Sequence, residues 1–567
     1  MASSSVLFAA FWGMLAAQLV QLEWTTDFPA SHPHQIGHDG PWQAVSLRVG
    51  GDLGFTVDVW PTDKDLIYIV ANTTLGEHSI ENLQFSKKLP MWFGNPLEWA
   101  LYNTTFSSGR GYSELIALSP KTSRPISFNY SIAVFNEPIF TLPDERGYIN
   151  NVGILGLGSP AVNSPNDGNP IDGKPTLLEQ LKQSGEITSR SFGMHMGSAQ
   201  HSQPGSLVLG GYEQNRALGD IGIFDVDDGG SPHIFLLDVT LDTQVGDSPF
   251  NESKIGSIYQ GTDNSYMANI TKFLGGTKGS ALVDLSSAVP YIYLPPGTCE
   301  TASQYLPVIW DEDIELYIWN QTDPQYDRIV SSSAYLGFIF ADRDASNITI
   351  KVPFQLLNLT LLPPIVHLPT PYFPCKPLAG ESPNRWTLGR AFLQAAFYGV
   401  NFETQTTFIG QGPGPNMDIS VVRVMRPKDT GIISNPIASF EESWSAYWTV
   451  LPKSPNKSQG SKDDLSRAGT EGIIVGSIFG GLILVFGAAI TIWNRRRQFT
   501  QHFRTVERQN YEENLSLLGA VIELDASPIP LDMSDLLPHE CEYTIFAILA
   551  KYRSYPFPTQ YCIGFAS

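Results

Sequence analysis

Positive charge, cysteine and long apolar runs are all scarce in this chain of 567 residues. Its 35 Lys and Arg stand against 56 Asp and Glu, a net charge of −21, so no basic surface is on hand to neutralise phosphates, and nucleic acid is excluded as a partner. A solvated acidic surface is the plain consequence. Only four cysteines occur, Cys299, Cys375, Cys541 and Cys562. Histidines gather once, at His32, His34 and His38, but Pro33 and the lack of acidic or cysteine partners make an exposed loop the expectation and no metal site is read there. No Ser-centred nucleophile elbow is present. Gly156–Leu157–Gly158 lacks the strand-turn-helix unit and the later acidic residue of a dinucleotide loop, and no cofactor is expected.

Apolar runs are confined to two places. Val6 to Ala17 suits a signal peptide over residues 1–20, although the usual basic start is missing. Residues 472–493 carry 22 uncharged residues, close to the ~20 needed to cross a bilayer as a helix. Arg495, Arg496 and Arg497 follow at once, and basic residues favour the cytoplasmic flank. The expectation is a single-pass type I protein of the secretory pathway or cell surface, with residues 494–567 as a cytoplasmic tail. About 70 residues after the span argue against a lipid-anchor signal. Cys541 and Cys562 would stay reduced in that tail, whose last stretch, 542–567, turns aromatic and apolar with no readable partner. Gly472, Gly476 and Gly480 have the spacing that lets two membrane helices approach, so a homodimer is one reading; glycine merely tolerated in a span is the other.

Nine Asn-x-Ser/Thr sequons precede the span, at Asn72, Asn103, Asn129, Asn251, Asn269, Asn320, Asn347, Asn358 and Asn456, which favours a glycosylated ectodomain. Within it, alternation over Gln43 to Val49 and the β-branched and aromatic residues of Leu66 to Val70 predict strands, and Gly205, Gly210 and Gly211 punctuate a turn. Thr176, Glu179 and Gly185 frame a short helix, with Thr176 as cap and Glu179 reaching back. Gly156 to Pro175, rich in Gly, Pro and Asn, is expected to be a surface loop, and Asp263, Asp311, Glu312 and Asp313 solvated loop charges. Residues 413–471 lose the strand pattern and end in a polar run, so they are expected to form a linker or stalk.

A series of blocks resembles the pepsin-like (A1) aspartic peptidases, in their order as well as their motifs. PWQAVSLRV (41–49), DLIYIV (65–70), NVGILGLG (151–158), GSLVLGGYEQNRALGDI (205–221), YIYLP (291–295) and WTLGRAFLQ (386–394) cover, with their surroundings, roughly residues 40–412. The chain is similar to a fungal-type, membrane-anchored member of that family. The resemblance implies a mainly β, bilobal fold with an N-terminal lobe at 40–215 and a C-terminal lobe at 216–412, followed by the stalk and one transmembrane helix. It also implies the family's second-lobe disulfide between Cys299 and Cys375, which an oxidising lumen would favour, two free buried thiols being the alternative.

The chemistry the family carries needs two carboxylates that share one proton, one activating water while the other donates to the substrate carbonyl. Each Asp is followed in the family by Thr or Ser and then Gly. Anchoring on Asp65–Leu66 puts Trp60, Pro61 and Thr62 at the first such position; anchoring on Pro290 to Pro295 puts Ser286, Ser287 and Ala288 at the second. A rival alignment with two-residue insertions makes Asp58 and Asp284 the dyad. Two residues along a strand is ~6–7 Å on one face, so neither carboxylate would then reach the usual centre without rearrangement. No counterpart of the family's Tyr-Gly flap stands out between Asn72 and Tyr148; Trp92, Trp99 and Tyr102 serve either a rebuilt lid or ordinary packing.

The expectation is therefore a homologue with no catalytic residues, degenerate at Trp60 and Ser286, that binds a peptide or protein between its lobes. The alternatives are an active endopeptidase using Asp58 and Asp284 on secretory or surface proteins, and a surface receptor or adhesion-like protein acting through its tail.

Overall fold

The computed structural model describes residues 19–25, 36–50, 54–71, 87–93, 101, 109–136, 138–160, 173, 175–252, 254–261, 280–344, 346–378, 386–417 and 419–453. All belong to one compact unit, Met1–Pro455. The signal-peptide residues before 19, the span at 472–493 with its glycines, and the tail lie outside the described residues. No helix among the described residues is long and apolar enough to cross a membrane.

The fold is mainly β and bilobal, and one strand arrangement occurs in both lobes. In the first, Val45–Val49 runs antiparallel to Phe55–Thr62, which lies parallel to Gly153–Gly156, and that strand turns its other edge antiparallel to Tyr68–Ala71. In the second, Ala281–Leu285 lies parallel to Trp386–Leu388, which pairs antiparallel with Ile292–Leu294. These trios sit in a seven-stranded and an eight-stranded sheet. A third, six-stranded sheet draws Val20–Gln21, Ser206–Leu209 and Ser191–His195 together with Ala396–Asn401, Thr406–Gln411 and Leu218–Asp225, and so joins the lobes. Val45–Val49 keeps only Arg48 exposed, as its apolar positions require.

Two glycines make the trios possible. A Cβ added to Gly156 would lie 2.3 Å from the Leu66 carbonyl oxygen, and one added to Gly389 would lie 2.4 Å from those of Val289 and Tyr291. Only glycine lets each strand pass that close to the chain returning from the turn. The run from Gly156 to Gly158 thus continues a buried strand pair.

Several local expectations are met differently. The helix Leu177–Gln183 forms, and Gly185 follows it at φ +78°, but Thr176 makes no cap bond. Its hydroxyl lies 3.3 Å from that of Ser159, while Glu179 pairs with buried Arg190 at 3.3 Å. Tertiary partners outcompete the local capping box here. Cys299 and Cys375 form a disulfide with Cα atoms 5.7 Å apart. Asp311, Glu312 and Asp313 lie at the turn of the Val308–Asp311/Leu316–Trp319 hairpin.

The linker expected over 413–471 is corrected across its described part. Val422–Val424 adds to Gly211–Glu213 as an antiparallel pair, and Met425 is fully buried beside Tyr212, Phe397 and Phe408. Ser439 and Glu442 make a capping box on the short helix Phe440–Ser443, after which buried Trp444 stacks on Trp448 at 6.0 Å. These large apolar residues have a core to join, which the sequence alternation does not reveal. The polar run begins only after Lys453.

Candidate functional site

The strand registers fix which residues of the two lobes correspond. Trp60 stands opposite Ile154 and Thr62 opposite Gly156; Asp284 stands opposite Thr387 and Leu285 opposite Leu388. Ile154 precedes Gly156 by two, and Thr387 precedes Gly389 by two. Trp60 is therefore the counterpart of Asp284, and Thr62 that of Ser286, in place of the Trp60/Ser286 pairing expected from the sequence. The same rule gives Asp58 the counterpart Leu282, so Asp58 and Asp284 are not symmetry-related.

The end of the first strand meets the turn after the second directly. The Ser287 hydroxyl donates to the Pro61 carbonyl at 2.5 Å, and Arg390 Nη1 donates to the Ser287 carbonyl at 2.8 Å. Arg390 is fully buried, and its guanidinium carbon lies 3.6 Å from the centroid of the Trp60 ring and 4.9 Å from that of Trp42. Its Nη2 reaches Asp39 Oδ1 at 3.0 Å, an oxygen that also accepts from Trp42 Nε1 at 2.6 Å. The Tyr372 hydroxyl donates to the Asp39 carbonyl at 2.5 Å, and Trp60 Nε1 donates to the Gln43 carbonyl at 3.3 Å. Burial, and after it the charge of Asp39, pushes the hydroxyls of Tyr148, Tyr293 and Tyr372 well above the ordinary tyrosine range. They remain neutral phenols around one buried ion pair. Arg390 comes from the C-terminal lobe and its aromatic and acidic partners from residues 39–60, so the cluster spans both lobes.

Sequence reasoning missed both Arg390 and Asp63. Asp63 follows Thr62 directly, is about nine-tenths buried, and accepts from the Tyr398 hydroxyl at 3.1 Å through Oδ2. Oδ1 accepts no hydrogen bond and sits 3.7 Å from Lys64 Nζ. Burial raises its pKa above the ordinary carboxylate value, the charge of Asp284 adds to the rise, and Lys64 and the Tyr398 bond oppose it. The carboxylate felt by Asp63 across the lobes is thus Asp284. Asp58 faces Ser46 across the ladder, with the serine hydroxyl 3.5 Å from its Oδ1.

Further bonds join the lobes near this cluster. Leu362 N donates to the His38 carbonyl at 2.9 Å, Asp144 N to that of Asp313 at 3.2 Å, and Arg146 Nη1 to that of Ile365 at 3.1 Å. His38 packs edge-on against Tyr148 at 5.7 Å, while His32 and His34 lie outside the described residues. So do Trp99 and Tyr102; Trp92 lies on the strand Lys87–Phe93, paired with Gly109–Leu118.

The model of the family described as eukaryotic aspartyl protease matches residues 107–294. The match takes in Asp284 and Ser286 but starts beyond Trp60. Among solved structures, the crystal structure of aspartic proteinase from Irpex lacteus is similar at 13% identity and a TM-score of 0.44, over 70% of this chain and 97% of that one. No curated protein matches.

Proposed function

We propose that this chain is a catalytically inactive, membrane-anchored pepsin-like protein that binds a peptide or protein between its lobes. The observation that carries the loss of activity is the Arg390 guanidinium lying on the Trp60 ring, clamped by Asp39. An acid peptidase centre needs a carboxylate from each lobe at corresponding positions, with room for a water between them. Here the position corresponding to Asp284 holds an indole, and Arg390 occupies the face of that ring. Thr62 and Ser286, the next corresponding pair, cannot share a proton as carboxylates do. Anchoring and secretory entry are supported by the sequence alone: the uncharged 472–493 run, Arg495 to Arg497, and the density of sequons.

One observation favours a second reading. Asp63 and Asp284 come from opposite lobes, and the charge of Asp284 adds to the raised pKa of Asp63, so a displaced acid pair built on these two, as an alternative to Asp58 and Asp284, would give an active endopeptidase. A mixed peptide library incubated with the protein from pH 3 to 7 separates the two. No cleavage at any pH by folded protein supports the binding role. Cleavage abolished by Asp284→Asn together with Asp63→Asn or Asp58→Asn overturns it and identifies the acid pair.

A further inference from the structure

The segment between Ile419 and Ile437 leaves large apolar side chains in solvent: Ile419 at 89% exposure, Val421 at 43%, Ile433 at 61% and Ile437 at 79%. Single exposed aliphatics are ordinary, but four within one strap are not. The backbone gathers them along one stretch of the body. Gln214 N donates to the Val421 carbonyl at 2.8 Å and Gln214 Nε2 to the Ser434 carbonyl at 2.9 Å. Ile433 N donates to the Tyr212 hydroxyl at 2.9 Å, Ser420 Oγ to Glu213 at 3.1 Å, and Asn435 bridges Leu218. Both arms of the strap therefore lie along residues 212–218. Arg423, Arg426 and Lys428, all exposed, sit between the arms.

We infer that this strap docks on the lipid surface of the bilayer in which the chain is anchored. The inference rests on the membrane-anchor reading above. Chain length supplies the occupant: only 18 residues, 454–471, separate the end of the described body from the apolar run at 472. Whatever their conformation, they span at most about 60–65 Å, so residue 453, sixteen positions after Ile437, stays within that reach of the bilayer. Aliphatic side chains flanked by long cationic ones suit the lipid interface, where the apolar parts enter the acyl boundary and the charged ends stay among the headgroups.

The test uses the full chain with Cys541→Ser and Cys562→Ser, reconstituted into phosphatidylcholine vesicles. A polarity-sensitive fluorophore is attached at Ile433→Cys or, as control, at Leu368→Cys, a position 75% exposed in the C-terminal lobe. The expected result is a blue shift at 433 and quenching by lipids brominated high on the acyl chain, neither of which occurs at 368. Adding Ile419→Glu, Val421→Glu and Ile437→Glu should abolish both signals. A label at 433 that responds no more than the one at 368 overturns the inference. So does a blue shift without bromolipid quenching, which would mean that protein, such as a second copy of the chain, covers the strap. Alkaline carbonate extraction of the same vesicles reads the anchor separately: a chain released by carbonate, yet quenched at 433 beforehand, refutes the anchor and leaves the docking surface standing.

Discussion

Replacing Arg390 by methionine removes the cation of the inter-lobe cluster while keeping most of its length. Asp39 would then keep the Trp42 indole N–H on Oδ1 but lose the buried cation paired with it, and the Ser287 carbonyl would lose the Arg390 donor. Removing one partner of a buried ion pair costs about 3–5 kcal/mol, and a desolvated guanidinium on an aromatic face adds about 2 kcal/mol. Asp39→Asn removes the pair but leaves the guanidinium on Trp60, so it should cost less than Arg390→Met. The double variant has no orphaned charge, and its cost should fall short of the sum of the single costs by about 3 kcal/mol. In thermal unfolding followed by tryptophan fluorescence, the combined loss of about 5–7 kcal/mol for Arg390→Met lowers the midpoint of a lobe of this size by roughly 10–28 °C. Additive losses, or single variants within about 0.5 kcal/mol of the parent, would refute the claim that Arg390 and Asp39 hold the lobes as one buried pair.

Three further outcomes follow from the same geometry. Asp63 has a raised folded pKa, so its contribution to stability is fully present below the ordinary carboxylate value of 3.8 and is lost as pH rises through the folded value. The thermal midpoint should therefore fall between acid and neutral pH, and Asp63→Asn should flatten that dependence; an unchanged slope counts against burial of this carboxylate. Asn129, Asn251 and Asn347 are exposed while Asn320 and Asn358 are half-buried, with the Asn358 side chain bonded to the Tyr326 hydroxyl at 3.2 Å. Changing each of the first three to Gln should remove one glycan step on a gel, whereas Asn358→Gln should lower stability as well. Trp444→Ala should cost about 3–5 kcal/mol, the loss for a buried tryptophan, measured by urea unfolding; a change within about 0.5 kcal/mol would restore the stalk reading of residues 413–453.

Most of the fold was legible in the sequence because glycine and alternation report on the backbone itself. Gly156 and Gly389 stand where no side chain fits, and their flanking apolar residues mark the strands that pass through. Residues 419–453 were less legible because their burial depends on a few large side chains, Met425, Trp444 and Trp448, spaced without strand periodicity. Composition sees a polar stretch; packing sees three anchors. Arg390 was hidden for a related reason. Its partner Asp39 lies 351 positions away in the chain, and an arginine directly after a glycine carries no local sign that it will be buried. Asp63, between Thr62 and Lys64, looks like an exposed turn charge until the six-stranded sheet brings Tyr398 beneath it.

The candidate site shows why counting along the sequence misplaced the correspondence between lobes. Anchors downstream of the turns, Asp65–Leu66 and Pro290–Tyr291, assume turns of equal length, and that assumption gave Trp60 and Ser286. The ladders are set upstream, by the parallel pairs to Gly153–Gly156 and Trp386–Leu388, and they give Trp60 and Asp284. The difference of two residues keeps the same face but moves the position by ~6–7 Å along the strand. Asp58 and Asp284 look like equivalent aspartates only when the second lobe is counted from its downstream anchor; in the ladder the counterpart of Asp58 is Leu282, fully buried in the second-lobe core. The bond between the second turn and the end of the first strand does not depend on the side chain at the Trp60 position, because the Ser287 hydroxyl takes a backbone carbonyl, that of Pro61. A fold joined through main-chain acceptors can carry an indole at the Trp60 position and keep both lobes in place, with Arg390 using the indole face as a packing surface.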